Sequence, residues 1–156
     1  MYDPMKLLIF SDSHGRGGME QAAAVERPDH ILHLGDCVRD AQGLKNAVDC
    51  PVTYVPGNCD YNSSLPEVLT LELGGKRIYM THGHLHGVKM MYMRAVYAAL
   101  EAQADILLFG HTHHPECFQQ DGLWVMNPGA WGYGRSYGLI TLEKGNISCQ
   151  LRTWNK

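Results

Sequence analysis

Five short clusters along the chain carry side chains suited to ligating a divalent cation: Asp12-Ser13-His14, Gly35-Asp36, Gly57-Asn58-Cys59-Asp60, His82-Gly83-His84 and Gly110-His111-Thr112-His113. Carboxylate, imidazole and amide donors recur and no thiolate is obligatory, which is the ligand set of a hard-to-borderline divalent metal. Nearly every cluster sits where an apolar run stops and a glycine-rich turn begins. In open α/β sheets the carboxyl ends of strands share one rim, so folding brings such residues together. The pattern points to a two-metal hydrolytic centre.

In Asp12-x-His14 a two-residue offset in extended chain puts both side chains on one side, a chelating pair for one metal. His111-x-His113 has the same offset and follows the same logic, which leaves His114 facing away in a supporting or surface role. Asp36 has the character of a bridge, since two cations about 3.5–4 Å apart repel and a carboxylate with one oxygen on each relieves that. Asn58 offers a neutral carbonyl after a glycine that permits a sharp turn. Two divalent ions set against Asp12, Asp36 and a bridging hydroxide leave a net positive site, which favours an anionic phosphate ester. Singly, these motifs also read as turns or caps, and a lone histidine as a satisfied core residue. Their joint occurrence at strand ends favours the chemistry.

The elements that position them follow from hydrophobic patterning. The spacing predicts strands over 6–10, 30–34 and 51–55, alternating with helices over 18–27 (stopped by Pro28) and 40–48, the β-α-β-α-β order of a layered α/β fold. Strands 68–73 and 76–80 flank Gly74-Gly75, a two-residue hairpin signal. The longest helix is expected over 88–104, with Val88, Met91, Tyr92, Ala95, Val96, Ala99 and Leu100 on one face, so that its methionines fill the core. Strands over 106–109 and 124–126 and a closing hairpin of 137–142 with 147–154 complete the chain. The second half therefore reads as mostly antiparallel, and two face-to-face sheets accommodate both halves.

At 156 residues the chain is expected to form a single domain over 1–156. A formal charge of −3 leaves no basic footprint, so no strong nucleic-acid binding is expected. Five cysteines, odd in number and without Cys-x-x-Cys spacing, read as reduced thiols. No apolar run approaches the ~20 residues of a membrane span, and the first is too short for a signal-peptide core. The expected setting is cytoplasmic, off the membrane. Met90, Met91, Tyr92, Met93 and Tyr97 cover more than one helix face, the mark of a homo-oligomer surface.

In this order the residues resemble the calcineurin-like metallophosphoesterase superfamily, whose pattern runs D-x-H, G-D, G-N-H-[DE], H and G-H-x-H. Thr81-His82-Gly83-His84, Asn127-Pro128-Gly129 and the chain length are similar to its small prokaryotic YfcE-like phosphodiesterase branch. The likeness spans residue 7 to about residue 135. It implies a four-layer α/β/β/α sandwich of two mixed β-sheets flanked by helices, with two metals at one sheet edge. It implies that Asp12, His14, Asp36 and His113 hold one metal and Asp36, Asn58, His82 and His111 the other, with Asp36, Asn58 and His82 also assigned to catalysis. The activity implied is a binuclear phosphodiesterase acting on a small phosphoester, a metal-bridging hydroxide attacking phosphorus in line. The family suggests Mn²⁺, while N/O ligation also suits Ni²⁺, Zn²⁺, Fe²⁺ or Co²⁺.

One position departs from the pattern. Cys59 stands where the family has a histidine, and a thiol of ordinary pKa ~8.5 is a poor substitute for an imidazole as proton donor. It reads first as a small packed residue and second as a substrate neighbour. Arg16, Arg39, His84 and Arg135 lie beside ligand loops, with His84 and Arg135 the leading candidates for a phosphate contact. Asn127-Pro128-Gly129 reads as a rigid turn. No insertion long enough for a lid is evident, so the site is expected to be shallow and open. Two other readings compete. A retromer subunit shares this fold as a scaffold that has lost metal-binding histidines, but a scaffold has no use for seven polar side chains in one crevice. A nuclease on DNA ends is disfavoured by the missing capping domain and basic surface.

Overall fold

The computed structural model describes residues 3–61 and 64–155. Its strands are β1 (Met5–Phe10), β2 (His30–His33), β3 (Val52–Tyr54), β4 (Val68–Leu73), β5 (Lys76–Thr81), β6 (Ile106–Leu108), β7 (Glu116–Gln120), β8 (Leu123–Asn127), β9 (Ser136–Glu143) and β10 (Asn146–Thr153). The α-helices are α1 (Met19–Glu26), α2 (Val38–Ala47), α3 (Met93–Glu101) and α4 (Trp131–Gly134), with a 3-10 turn at His84–His86. One sheet has the order β10-β9-β1-β2-β3 and the other β4-β5-β6-β8-β7. Both are mixed: β1-β2-β3 and β5-β6-β8 run parallel, and the flanking strands antiparallel.

Strand alternation builds the layers. Leu7 and Ile9 point between the sheets, where they meet Leu32, Ile78, Met80, Ile106, Leu108 and Met126. Leu8 and Phe10, one residue out of phase, face Met19, Ala22 and Ala23 of α1 and Leu44 of α2. On the far side Tyr79, Leu107 and Val125 face Ala95, Val96 and Ala99 of α3. Three apolar interfaces thus separate four layers, helix–sheet–sheet–helix, and strands buried on both faces read as continuous apolar runs for that reason.

The structure differs from the expected elements in three places. The helix expected over 88–104 begins only at Met93, because Gly83 and Gly87 are left-handed (φ 107° and 62°) and turn the chain back. Val88 is buried by packing onto Gly83, where a Cβ would meet its Cγ2 at 2.7 Å, and not as part of a helical stripe. Met90 is 91% exposed and Met91 is also exposed, so of these methionines only Met93 packs against the core. The strand pairings of the second half are mostly antiparallel, as expected, but α3 returns the chain so that β6 lies parallel to β5 and β8, and the closing hairpin joins the first sheet through β9 on β1. Strand β7, Glu-Cys-Phe-Gln-Gln, has no apolar alternation to announce it because it is the sheet's edge.

Candidate metal centre

The site is assembled by loops that leave the carboxyl ends of β1, β2, β3, β5 and β6. Five of the seven expected ligands adopt left-handed backbone there: Asp12 (φ 52°), His14 (47°), Asp36 (45°), His111 (68°) and His113 (66°). The expectation that extended chain aligns each D-x-H or H-x-H pair is therefore incorrect. An L-residue in this region costs roughly 1–2 kcal/mol, and such strain gathers where surrounding structure over-determines the backbone. Here the bracing is explicit. Asp12 N–H donates to Gly35 O (2.8 Å), His14 N–H to Asp36 O (3.1 Å) and Gly110 N–H to His82 O (3.0 Å). A Cβ on Gly57 would overlap Asp36 Oδ1, and one on Gly110 would overlap Ser11 Oγ, so both glycines allow loops to touch.

Two groups of ligand atoms result, Asp12–His14–His113 and Asp36–His82–His111, each within 4.8 Å. His111 and His113 thus fall into different groups, contrary to the chelating pair read from their spacing. The divided assignment is the one the resemblance implied. Asp12 Oδ2 accepts from Ser11 Oγ (2.6 Å) and from His111 N–H (3.0 Å). Its other oxygen, Oδ1, is buried with no hydrogen-bond partner. Around that oxygen stand three imidazole Nε2 atoms, of His113 at 3.3 Å and of His14 and His82 at 3.7 Å. A buried carboxylate oxygen left unpaired is costly, and a cation among these nitrogens removes the cost.

In the second group His82 Nδ1 donates to Leu34 O (2.9 Å), which fixes the tautomer and turns the Nε2 lone pair inward. Nε2 lies 3.1 Å from Asn58 Oδ1, 3.2 Å from His111 Nδ1 and 3.3 Å from Asp36 Oδ2. Four lone-pair atoms therefore converge on one point. Burial lowers the basicity of His82, but its bond to Asp36 and the charges of Asp12 and Asp36 outweigh that and raise its pKa. Burial would raise the pKa of Asp36, yet His82 and the Cys59 amide hold it well below the carboxylate range. Burial and the neighbouring His82 push His111 down to about 4, which keeps it neutral and able to ligate. The donor set fits two divalent ions.

Residues given no part in the centre by the sequence reading hold this arrangement. Asp60 is the staple of the second group: Oδ2 accepts the N–H of Asp36 (2.9 Å) and Gly57 (2.8 Å), and Oδ1 that of Val38 (2.8 Å). His33, fully buried, accepts Gly35 N–H at Nδ1 (3.1 Å), so Nε2 carries the proton and donates to Ser13 Oγ (3.0 Å). Tyr133 stacks on His113 (4.9 Å between centroids) and flanks His14 (5.3 Å). Spacing offered no signal for His33 or Tyr133; Asp60 was visible within its cluster. Asn127 is buried and braces the 110–113 loop through Gly110 O (3.2 Å) and Thr112 Oγ1 (2.9 Å).

The remaining candidates are placed as follows. His84 lies beside His82, ring centroids 5.4 Å apart, with Nε2 3.7 Å from Glu67 Oε1. The Arg135 guanidinium lies over the Trp131 ring at 5.9 Å. Arg16 donates to Gly132 O (3.3 Å). Arg39 and His114 are exposed. Cys59 is exposed, not packed away as expected, because its N–H is spent on Asp36 Oδ1 (2.8 Å) and its loop lies at the surface. Partial burial and the Asp36 charge raise its thiol pKa.

Comparison with known proteins agrees with this geometry. Residues 5–145 match the calcineurin-like phosphoesterase superfamily domain. "Probable metallophosphoesterase YsnB" of Bacillus subtilis is 35% identical over 89% of this chain and 85% of its own length. The phosphodiesterase YfcE of Escherichia coli is 33% identical over 87% of each. A crystal structure of a predicted phosphoesterase from Streptococcus pneumoniae superposes with TM-score 0.83 at 27% identity, covering 98% of this chain and 91% of that one. Vps29 of Entamoeba histolytica complexed with Zn²⁺ shares the fold at TM-score 0.72 and 20% identity, covering 97% and 100%. By sequence and by architecture, the chain belongs to the calcineurin-like phosphoesterase superfamily.

Proposed function

We propose that the protein is a binuclear metal-dependent phosphodiesterase acting on small phosphoesters. The observation that carries this reading is the buried, unpaired Asp12 Oδ1 facing the imidazoles of both triads. Asp12, His14 and His113 would hold one ion, and Asn58, His82 and His111 the other, with Asp36 shared. Two bound ions supply Lewis acidity and an activated water for in-line attack on phosphorus. The chain's part is to orient the donors: Leu34 O fixes His82, Asp60 fixes the Asp36 backbone, and Asp12 Oδ2 fixes the His111 amide. The N/O donor set suits Mn²⁺, and the Zn²⁺ complex of Vps29 supports Zn²⁺ as an alternative. Five free cysteines support a reducing, cytoplasmic setting.

The test is chelation followed by restoration of Mn²⁺, Ni²⁺ or Co²⁺, with hydrolysis of bis(p-nitrophenyl) phosphate as readout. Turnover should vanish and return with metal. Background turnover with two metals bound would favour a metal-binding scaffold acting through protein partners.

A further inference from the structure

We propose that a groove beside the two triads is a subsite for one ester arm of the substrate, and that it takes a nucleoside. The inference rests on the phosphodiesterase reading and adds a substrate class to it. The groove encloses about 640 Å³, within the range of small-molecule sites. It borders the centre through residues adjacent to the ligands: its lining includes Gly15, next to His14, and Cys59, which follows Asn58 and whose N–H is bonded to Asp36. A thiol at position 59 leaves more room there than an imidazole would.

The lining selects the occupant. Asp40 and Asp60 are already engaged, Asp40 by the Gly15 amide (2.7 Å) and Asp60 by three amides. What faces a ligand is Arg39, Gln42, Tyr61 and Ser64. Among the described residues Arg39 makes no hydrogen bond or ion pair through its side chain, and Tyr61 is 83% exposed. An open aromatic ring beside amide, hydroxyl and guanidinium donors suits a planar base with a hydrogen-bonding edge. A methyl or simple alkyl ester would leave all four idle. Arginine adds a face that stacks on, or a fork that pairs with, the same base.

Metal-loaded wild type, Tyr61→Ala, Tyr61→Phe and Arg39→Gln are compared on thymidine 5′-(p-nitrophenyl) phosphate and methyl p-nitrophenyl phosphate. Wild type should show the lower KM for the thymidine ester. Tyr61→Ala should raise the thymidine-to-methyl KM ratio about tenfold, the scale of a lost base–aromatic stack. Tyr61→Phe should restore that ratio, and Arg39→Gln should raise it severalfold. A ratio unchanged in both Tyr61→Ala and Arg39→Gln, at wild-type metal content, overturns the subsite. Calorimetry with thymidine 5′-monophosphate separates this from the phosphodiesterase reading. If no diester is hydrolysed, weaker nucleotide binding by Tyr61→Ala still supports the groove, and equal binding by wild type and variant removes it.

Discussion

The two oxygens of Asp36 have different neighbours, Oδ1 the Cys59 amide at 2.8 Å and Oδ2 the His82 imidazole at 3.3 Å. A neutral amide in its place would keep the shape and lose the charge that two bound ions would share in the proposed centre. Asp36→Asn is therefore expected to lower metal content at both positions, whereas His14→Ala should mainly empty one. Elemental analysis decides, and equal loss of two metals in both variants would contradict the bridge. Cys59 raises a separate expectation. With its thiol held protonated and no histidine at that position, alkyl diesters should react far more slowly than aryl ones, by a general-acid contribution of about 10²–10⁴-fold. Cys59→His should recover part of the alkyl rate, and Cys59→Ala should leave aryl turnover nearly unchanged. Loss of aryl turnover in Cys59→Ala with both metals bound would make the thiol catalytic. At this scale donor types were legible in the sequence. The left-handed backbone of Asp12 or His111 was not, because no local preference of Asp or His demands it; it is imposed by bonds between loops distant in sequence.

Among the elements, β1 and β6 were legible because strands buried on both faces are written as unbroken apolar runs, and β4 and β5 through the Gly74-Gly75 turn between them. Strand β7 was not, since an edge strand needs no such run. The start of α3 was misread because Val88 is apolar for a tertiary reason, its packing on Gly83, that mimics helical spacing. His33 joins the ends of β1 and β2 and carries a pH dependence. Burial pushes its pKa from 6.5 to about 4. As pH falls through 6.5 the unfolded chain takes up a proton that the folded one refuses, so stability is full above 6.5 and declines toward 4. The full loss is on the order of 3 kcal/mol for such a shift. Urea unfolding of the chelated protein between pH 7 and 5 should show this decline, and His33→Gln should flatten it. An equal slope in the variant would remove His33 as the cause.

Across the whole molecule, Glu26 at the end of α1 ties three strands of the first sheet together. It accepts from Tyr137 OH (2.7 Å), pairs with Arg152 (3.0 Å) and bonds Lys6 Nζ (3.2 Å). Burial opposes its ionisation, but these partners outweigh that and lower its pKa. Glu26→Ala strands the Tyr137 hydroxyl and should cost about 2–3 kcal/mol, read as a lower melting temperature with metal content unchanged. Loss of metal along with stability would show that the rim depends on this distant network. The four-layer plan was legible only through the order of the motifs. Patterning alone did not say which sheet takes the closing hairpin, because nothing in a strand's own sequence names its partner.

The hairpin turn at Lys144-Gly145 lies at the opposite end of the sandwich from every ligand loop, since β9 runs antiparallel to β1 and its last residues pair with the first of β1. A Cβ at Gly145 would meet nothing within 4 Å, and the Gly74-Gly75 turn of the second sheet shares the same end. The molecule therefore has a natural handle. A peptide tag spliced at Gly145, or a tether to a solid support, would hold the protein with its metal rim facing outward and leave the path to that rim clear.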